Sequence, residues 1–197
     1  MMMNNTMRFT YHDYFLLPEE KRAEIIDGDL IMEPSPGYGH QVVVKNIVKL
    51  LDRYVGLLKL GVVVPSPIDV ILSEDNIVLP DVVFISREHY GIIRKQIHGA
   101  PDLIVEVISA RHAGRDRELK MKLYAGSGVA EYWIADPETR TVEVYSLRRS
   151  VAAGQGVPLR RGMYYEVHGV FGPGNTVTSK ILAGFEAKTD EIFAKPF

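Results

Sequence analysis

The chain has 197 residues, of which 46% are hydrophobic and 24% charged, with a formal net charge of −2 and no cysteine. That length suits one domain with a sizeable core. The missing cysteines exclude disulfides, zinc–thiolate sites and cysteine nucleophiles, and fit a reducing, cytoplasmic setting. The near-neutral charge excludes a protein that is basic throughout, so any nucleic-acid surface must be a local patch.

Residues 1–10 read as a flexible start with no long apolar core, hence not as a signal peptide. Residues 11–197 read as one domain, and no run in them approaches the roughly 20 apolar residues of a membrane helix. Residues 11–21 fit a short amphipathic helix. Glu24 to Met32 reads as two short strands around Asp27-Gly28, a favoured two-residue hairpin turn because both positions need positive φ. Ser35-Pro36 is a candidate helix cap. Val43, Ile47, Leu50, Leu51, Tyr54 and Leu58 then recur at helical spacing and predict a first core helix over 40–58.

Three strand-like runs follow: Val62 to Leu72, Ile77 to Ile85 and Asp102 to Ile108. Their β-branched content suits strands buried on both faces. Arg87 to Gly99 reads as helical or irregular. A second helix is predicted from Ala113 to Tyr124, with Gly126 or Gly128 as its stop. Its Leu119 and Leu123, four residues apart, face the sheet. Glu131 to Ala135 is a fourth strand, Asp136 to Thr139 a turn, and Val142 to Ser146 a fifth strand. Residues 148–161 read as an Arg- and Gly-rich loop. The tail offers a short strand, a Pro-Gly turn and an amphipathic end. A helix between the third and fourth strands implies a crossover, so part of the sheet is parallel.

Three of these strand-like runs carry a carboxylate among apolar neighbours: Asp69, Asp81 and Glu106. Burying such a charge without a partner costs several kcal/mol. Glu106, flanked on both sides by β-branched residues, is the most out of place. Several acids converging across strands call for a divalent cation, and with oxygen ligands and no cysteine Mg²⁺ or Mn²⁺ is favoured over Zn²⁺. The segment Arg111 to Lys122 follows the Glu106 strand directly and holds five Lys or Arg residues against two acids. It reads either as a solvated helix face or as a phosphate-facing one. Arg148, Arg149, Arg160 and Arg161 form a second candidate patch.

Pro80-Asp81, then Glu106 on the next strand, then a lysine, resembles the PD-(D/E)xK nuclease superfamily. The segments EIIDGDLI, PSPGYGHQ, SPIDVIL, LPDVVFIS, GAPDLIVEVIS, RDRELKMKLYAGSGVAEYWIADPETRTVEVY and ILAGFE are similar to the Uma-type family of putative restriction endonucleases. The resemblance implies an α/β fold: a restriction-endonuclease-like core of helix, three strands, helix, strand. A mixed central sheet, an N-terminal hairpin and extra C-terminal strands complete it. It implies a Mg²⁺- or Mn²⁺-dependent endonuclease acting on nucleic acid, DNA in the first instance, with a homodimer expected.

By the same resemblance Asp81 and Glu106 are metal ligands, joined by the Val107 carbonyl, and Lys120 is the catalytic lysine. The superfamily's common form has lysine two residues after the glutamate, where this chain has Ile108; the Uma-type pattern moves it to the following helix. Lys122 is the alternative there, but it is rotated about 200° from Lys120. His40, Glu24 and Asp69 are auxiliary candidates. Two other functions fit the same residues: a catalytically degenerate nucleic-acid-binding module, and a structural protein whose buried acids form metal-free networks.

Overall fold

A computed structural model describes residues 7–18, 21–108, 116–149 and 162–196. Among these, two large sheets, a two-stranded ribbon and one long helix organise the chain. Helix α1 (Tyr11–Tyr14) is a single turn, shorter than the expected 11–21, and Pro18 stands beyond its end. Strands β1 (Ala23–Ile26) and β2 (Asp29–Met32) form the expected hairpin, with Asp27 at φ 49° and Gly28 at φ 80° in its turn.

Helix α2 (Tyr38–Leu58) starts two residues earlier than expected, and its cap is Gly37, not Ser35. It buries Val43, Val44, Ile47, Leu50, Leu51 and Val55. Leu58 falls outside that stripe, half exposed at the helix end.

Two of the expected long strands are each divided. Val62 to Leu72 becomes β3 (Gly61–Pro65) and β4 (Val70–Ser73), which lie in different sheets. Ile77 to Ile85 becomes β5 (Asn76–Val78) and β6 (Val82–Ser86), again in different sheets. Prolines stand in both breaks. A proline nitrogen cannot donate to a ladder, so a strand ends there and the chain is free to cross between layers. The stretch after β6 is a 3-10 turn (Arg87–Ile92) and a two-residue strand β7 (Ile97–His98).

Strand β8 (Leu103–Val107) matches expectation. The basic segment 109–115 lies outside the described residues. Among the described residues the second helix runs as a π turn (Asp116–Lys120) and then as α3 (Met121–Ser127). It ends at Gly128, φ 93°, not at Tyr124. The left-handed conformation lets the Gly128 N–H reach back to the last carbonyls, which glycine does at least steric cost.

Strand β9 (Glu131–Asp136) pairs parallel with β8, as the crossover requires. Strand β10 (Thr141–Arg149) includes Arg148 and Arg149, which had been expected in a loop. Residues 150–161, with Arg160 and Arg161, lie outside the described residues. Strand β11 (Met163–Phe171) is longer than the short strand expected. Strands β12 (Thr176–Thr178) and β13 (Glu186–Lys188) and the turn of helix α4 (Thr189–Ile192) follow.

The larger sheet has the order β11-β10-β9-β8-β6-β3 and the smaller β2-β1-β5-β4-β7. The large sheet is mixed: β8 and β9 are parallel, the other pairs antiparallel. Helix α2 and the C-terminal segment cover one face, packing on Val82, Phe84, Leu103, Val105 and Trp133. The small sheet and α3 cover the other, where Ile26, Val70 and Tyr124 share a core with Val83, Ile104 and Ile134. Leu119 and Leu123 pack against this second core as expected.

Candidate active site

Strand alternation decides which acids meet. Glu106 lies on the same face of β8 as Ile104, toward the small sheet. Glu24 lies on the same face of β1 as Ile26, toward the large sheet. The two carboxylates therefore approach each other across the gap between the sheets. Glu24 is completely buried and Glu106 is 5% exposed.

Lys120 bridges them, with Nζ 2.9 Å from Glu24 Oε1 and 2.9 Å from Glu106 Oε1. Lys120 is the last residue of the π turn and is itself only 4% exposed. Tyr124, one helical turn on, donates its hydroxyl to Glu106 Oε1 at 2.6 Å. Burial and then the neighbouring Glu106 charge push this phenol well above its usual range, so it remains a donor. The Leu79 N–H donates to Glu24 Oε1 at 2.9 Å.

Asp81 sits one residue before β6 begins, not inside a strand. The register pairs Val82 with Val105, so one step further places Asp81 beside Glu106. Pro80 ends the ladder at this point. The Asp81 side chain substitutes for the missing backbone partner, and Oδ2 accepts from the Val107 N–H at 2.8 Å. His40, in the first turn of α2, places Nε2 3.1 Å from the same oxygen.

Glu24, His40, Asp81, Glu106 and Lys120 line a cavity of about 250 Å³, together with Arg22, Gly37 and Val107. Arg22 was not anticipated. Its Nε is buried with no hydrogen-bond partner among the described residues, as are His40 Nδ1 and Glu24 Oε2. Unsatisfied buried groups of both signs in one cavity are what a bound charged ligand relieves.

Two auxiliary candidates lie elsewhere. Asp69 accepts from the Tyr14 hydroxyl at 3.0 Å and does not line the cavity. The break at Ser66-Pro67 carries it away to the small sheet. Lys122 is exposed, as its rotation around the helix from Lys120 dictates. Position 108, where the superfamily's common form has lysine, holds an Ile side chain buried in the second core.

The donor set fits a particular kind of cation. Among the described residues no three His, Asp or Glu side chains converge closely enough to grip an ion by themselves. An ion held by one or two carboxylates and a carbonyl, with water filling the remaining positions, needs no such trio. Mg²⁺ usually keeps several waters and takes only one or two protein carboxylates. Glu24 Oε2, buried and without a partner, is a further acceptor at hand.

A family model described as "Uma2: Putative restriction endonuclease" matches residues 10–188. The chain belongs to that family. None of the curated proteins matches it. The Uma2 chain is also similar in fold to the crystal structure of a putative nuclease from Anabaena variabilis, with a TM-score of 0.72 at 19% identity. That likeness covers 94% of this chain and 97% of the other. The restriction-endonuclease-like α/β fold expected from the sequence is therefore the fold found.

Proposed function

We propose that this Uma2 protein is a metal-dependent endonuclease that hydrolyses phosphodiester bonds of nucleic acid, DNA in the first instance. One observation carries the reading: Asp81, Glu106 and a buried lysine meet at a single cavity that also holds an unpaired arginine nitrogen.

In this reading Asp81, Glu106 and the Val107 carbonyl would hold a Mg²⁺ or Mn²⁺ ion. Such an ion lowers the pKa of a bound water and offsets charge building on the phosphate. The chain's own groups do the rest. Lys120 orients the attacking water and faces the developing negative charge, in a site where little water weakens that attraction. Tyr124 and Glu24 fix the lysine and glutamate in place. Arg22 supplies a second cation for the phosphate, and His40 holds the Asp81 oxygen that also accepts from the Val107 N–H.

The test is nicking of supercoiled plasmid with Mg²⁺ or Mn²⁺. Wild-type protein nicks, and Asp81→Asn and Lys120→Ala each lower the rate by about 100-fold or more. Nicking that survives in both variants would sink the assignment. A second reading, a binding module without cleavage, draws on the Lys120 ammonium already lying between two carboxylates. Binding of plasmid with no cleavage in either metal would favour it.

A further inference from the structure

The cavity is not the sole concavity at its end of the large sheet. Strands β8 and β9 run parallel with Val107 beside Ala135, so the turn after β9 emerges next to the end of β8. There a groove of about 740 Å³ is lined by Tyr38, Val42, Pro137, Arg140, Phe193 and Lys195. Its size is within the range of small-ligand pockets.

Tyr38 is the first residue of α2 and adjoins Gly37; with His40, Gly37 forms part of the cavity wall. The groove and the cavity therefore border the same first turn of α2, on different sides of it. Tyr38 is also 70% exposed, an aromatic face left in water. The floor beside it is apolar (Val42, Phe193), and the two charged side chains lining the groove, Arg140 and Lys195, are both cations. Arg140 makes an exposed ion pair with Asp190 at 3.2 Å. An exposed pair of this kind is weak, and a phosphate can compete for the guanidinium.

We propose that this groove takes an unstacked nucleobase of a single strand, the nucleotide flanking the phosphate held in the cavity. Tyr38 provides the stacking face, and Arg140 and Lys195 meet the neighbouring phosphates. In a duplex each base face is already covered by the next base, so an open aromatic ring serves an unpaired base. The inference rests on the cavity being a phosphodiester site, and it adds a preference for single-stranded or locally opened substrate.

The experiment titrates the full chain into a short fluorescently labelled single strand, and into the matching duplex, in EDTA with anisotropy as the readout. Tyr38→Ala weakens single-strand binding about tenfold, and Tyr38→Phe stays within about twofold of wild type. Arg140→Gln and Lys195→Gln each lower the slope of log affinity against log salt by about 0.7. Tyr38 is exposed, so these variants keep the fold. Unchanged single-strand affinity in Tyr38→Ala overturns the proposal, as does equal loss in Tyr38→Phe or tighter binding of the duplex. The titration uses no divalent cation and reads no cleavage. Failure of the plasmid assay therefore leaves the groove standing, and failure of Tyr38→Ala leaves the catalytic reading standing.

Discussion

Glu106 and Glu131 stand on neighbouring parallel strands, both buried, on opposite faces of the same sheet. Glu131 is completely buried and, among the described residues, takes neutral donors: the Trp133 indole at 2.7 Å, the Ser179 hydroxyl at 2.7 Å and the Lys180 N–H at 2.6 Å. These contacts tie the C-terminal segment to the sheet. Glu106 instead shares a lysine with a second acid and borders a cavity. Burial of a carboxylate is therefore no sign of chemistry by itself. What separates the two is the kind of partner and whether space for a ligand remains beside it.

Exchanging the two acids one at a time tests the contrast most severely. Glu106→Gln should lower plasmid nicking by about 1,000-fold, through loss of several kcal/mol of charge stabilisation, while the protein remains folded by circular dichroism. Glu131→Ala should do the reverse. It leaves three donors without an acceptor and costs about 3 kcal/mol, which at this chain length lowers Tm by about 6–12 °C. Nicking per folded molecule should stay at the wild-type level. A Glu131 variant that folds normally but does not cut would erase the distinction.

A smaller effect sharpens the Glu106 side. Tyr124→Phe removes a hydrogen bond to a charged group, worth about 2 kcal/mol, measurable by urea denaturation. The sign with pH follows from the raised phenol. The folded state keeps Tyr124 protonated above its ordinary value near 10. Its contribution is thus whole below about pH 10 and is lost as pH rises past it, because the unfolded chain ionises first. Tyr14 and Tyr165, raised by burial and then by Asp69 and Glu131 respectively, act in the same direction. The alkaline loss of stability should be shallower in Tyr124→Phe than in wild type. The smallest effects belong to Lys122→Ala and Asp69→Asn. Lys122→Ala should stay within about 0.5 kcal/mol of wild type in stability, and Asp69→Asn, which keeps an acceptor for the Tyr14 hydroxyl, within about 1 kcal/mol; both should leave nicking unchanged.

The contrast also marks what the sequence could disclose. Asp81 and Glu106 are conspicuous because a charge interrupts an apolar run. Glu131 begins its strand, next to Ala130, where an acid looks ordinary. The Asp27-Gly28 turn was legible because its backbone conformation restricts residue choice. The divisions at Ser66-Pro67 and Leu79-Pro80 were signalled by their prolines, but the change of sheet they permit depends on contacts distant in sequence. The same is true of Glu24. Its meeting with Glu106 requires two sheets to face each other, so only the family resemblance made it a candidate; its local sequence reads as an acid near a hairpin. Arg22 carries no local pattern at all, and Tyr124 only its place one helical turn after Lys120. Their significance arises from the company they keep in three dimensions.

The Asp81 side chain takes a place in the sheet that the backbone vacates at Pro80. Its rotamer is consequently set by strand pairing, during folding, and not by whatever later enters the cavity. A ligand arriving there meets an oxygen already immobilised, and little conformational freedom remains to be surrendered on contact.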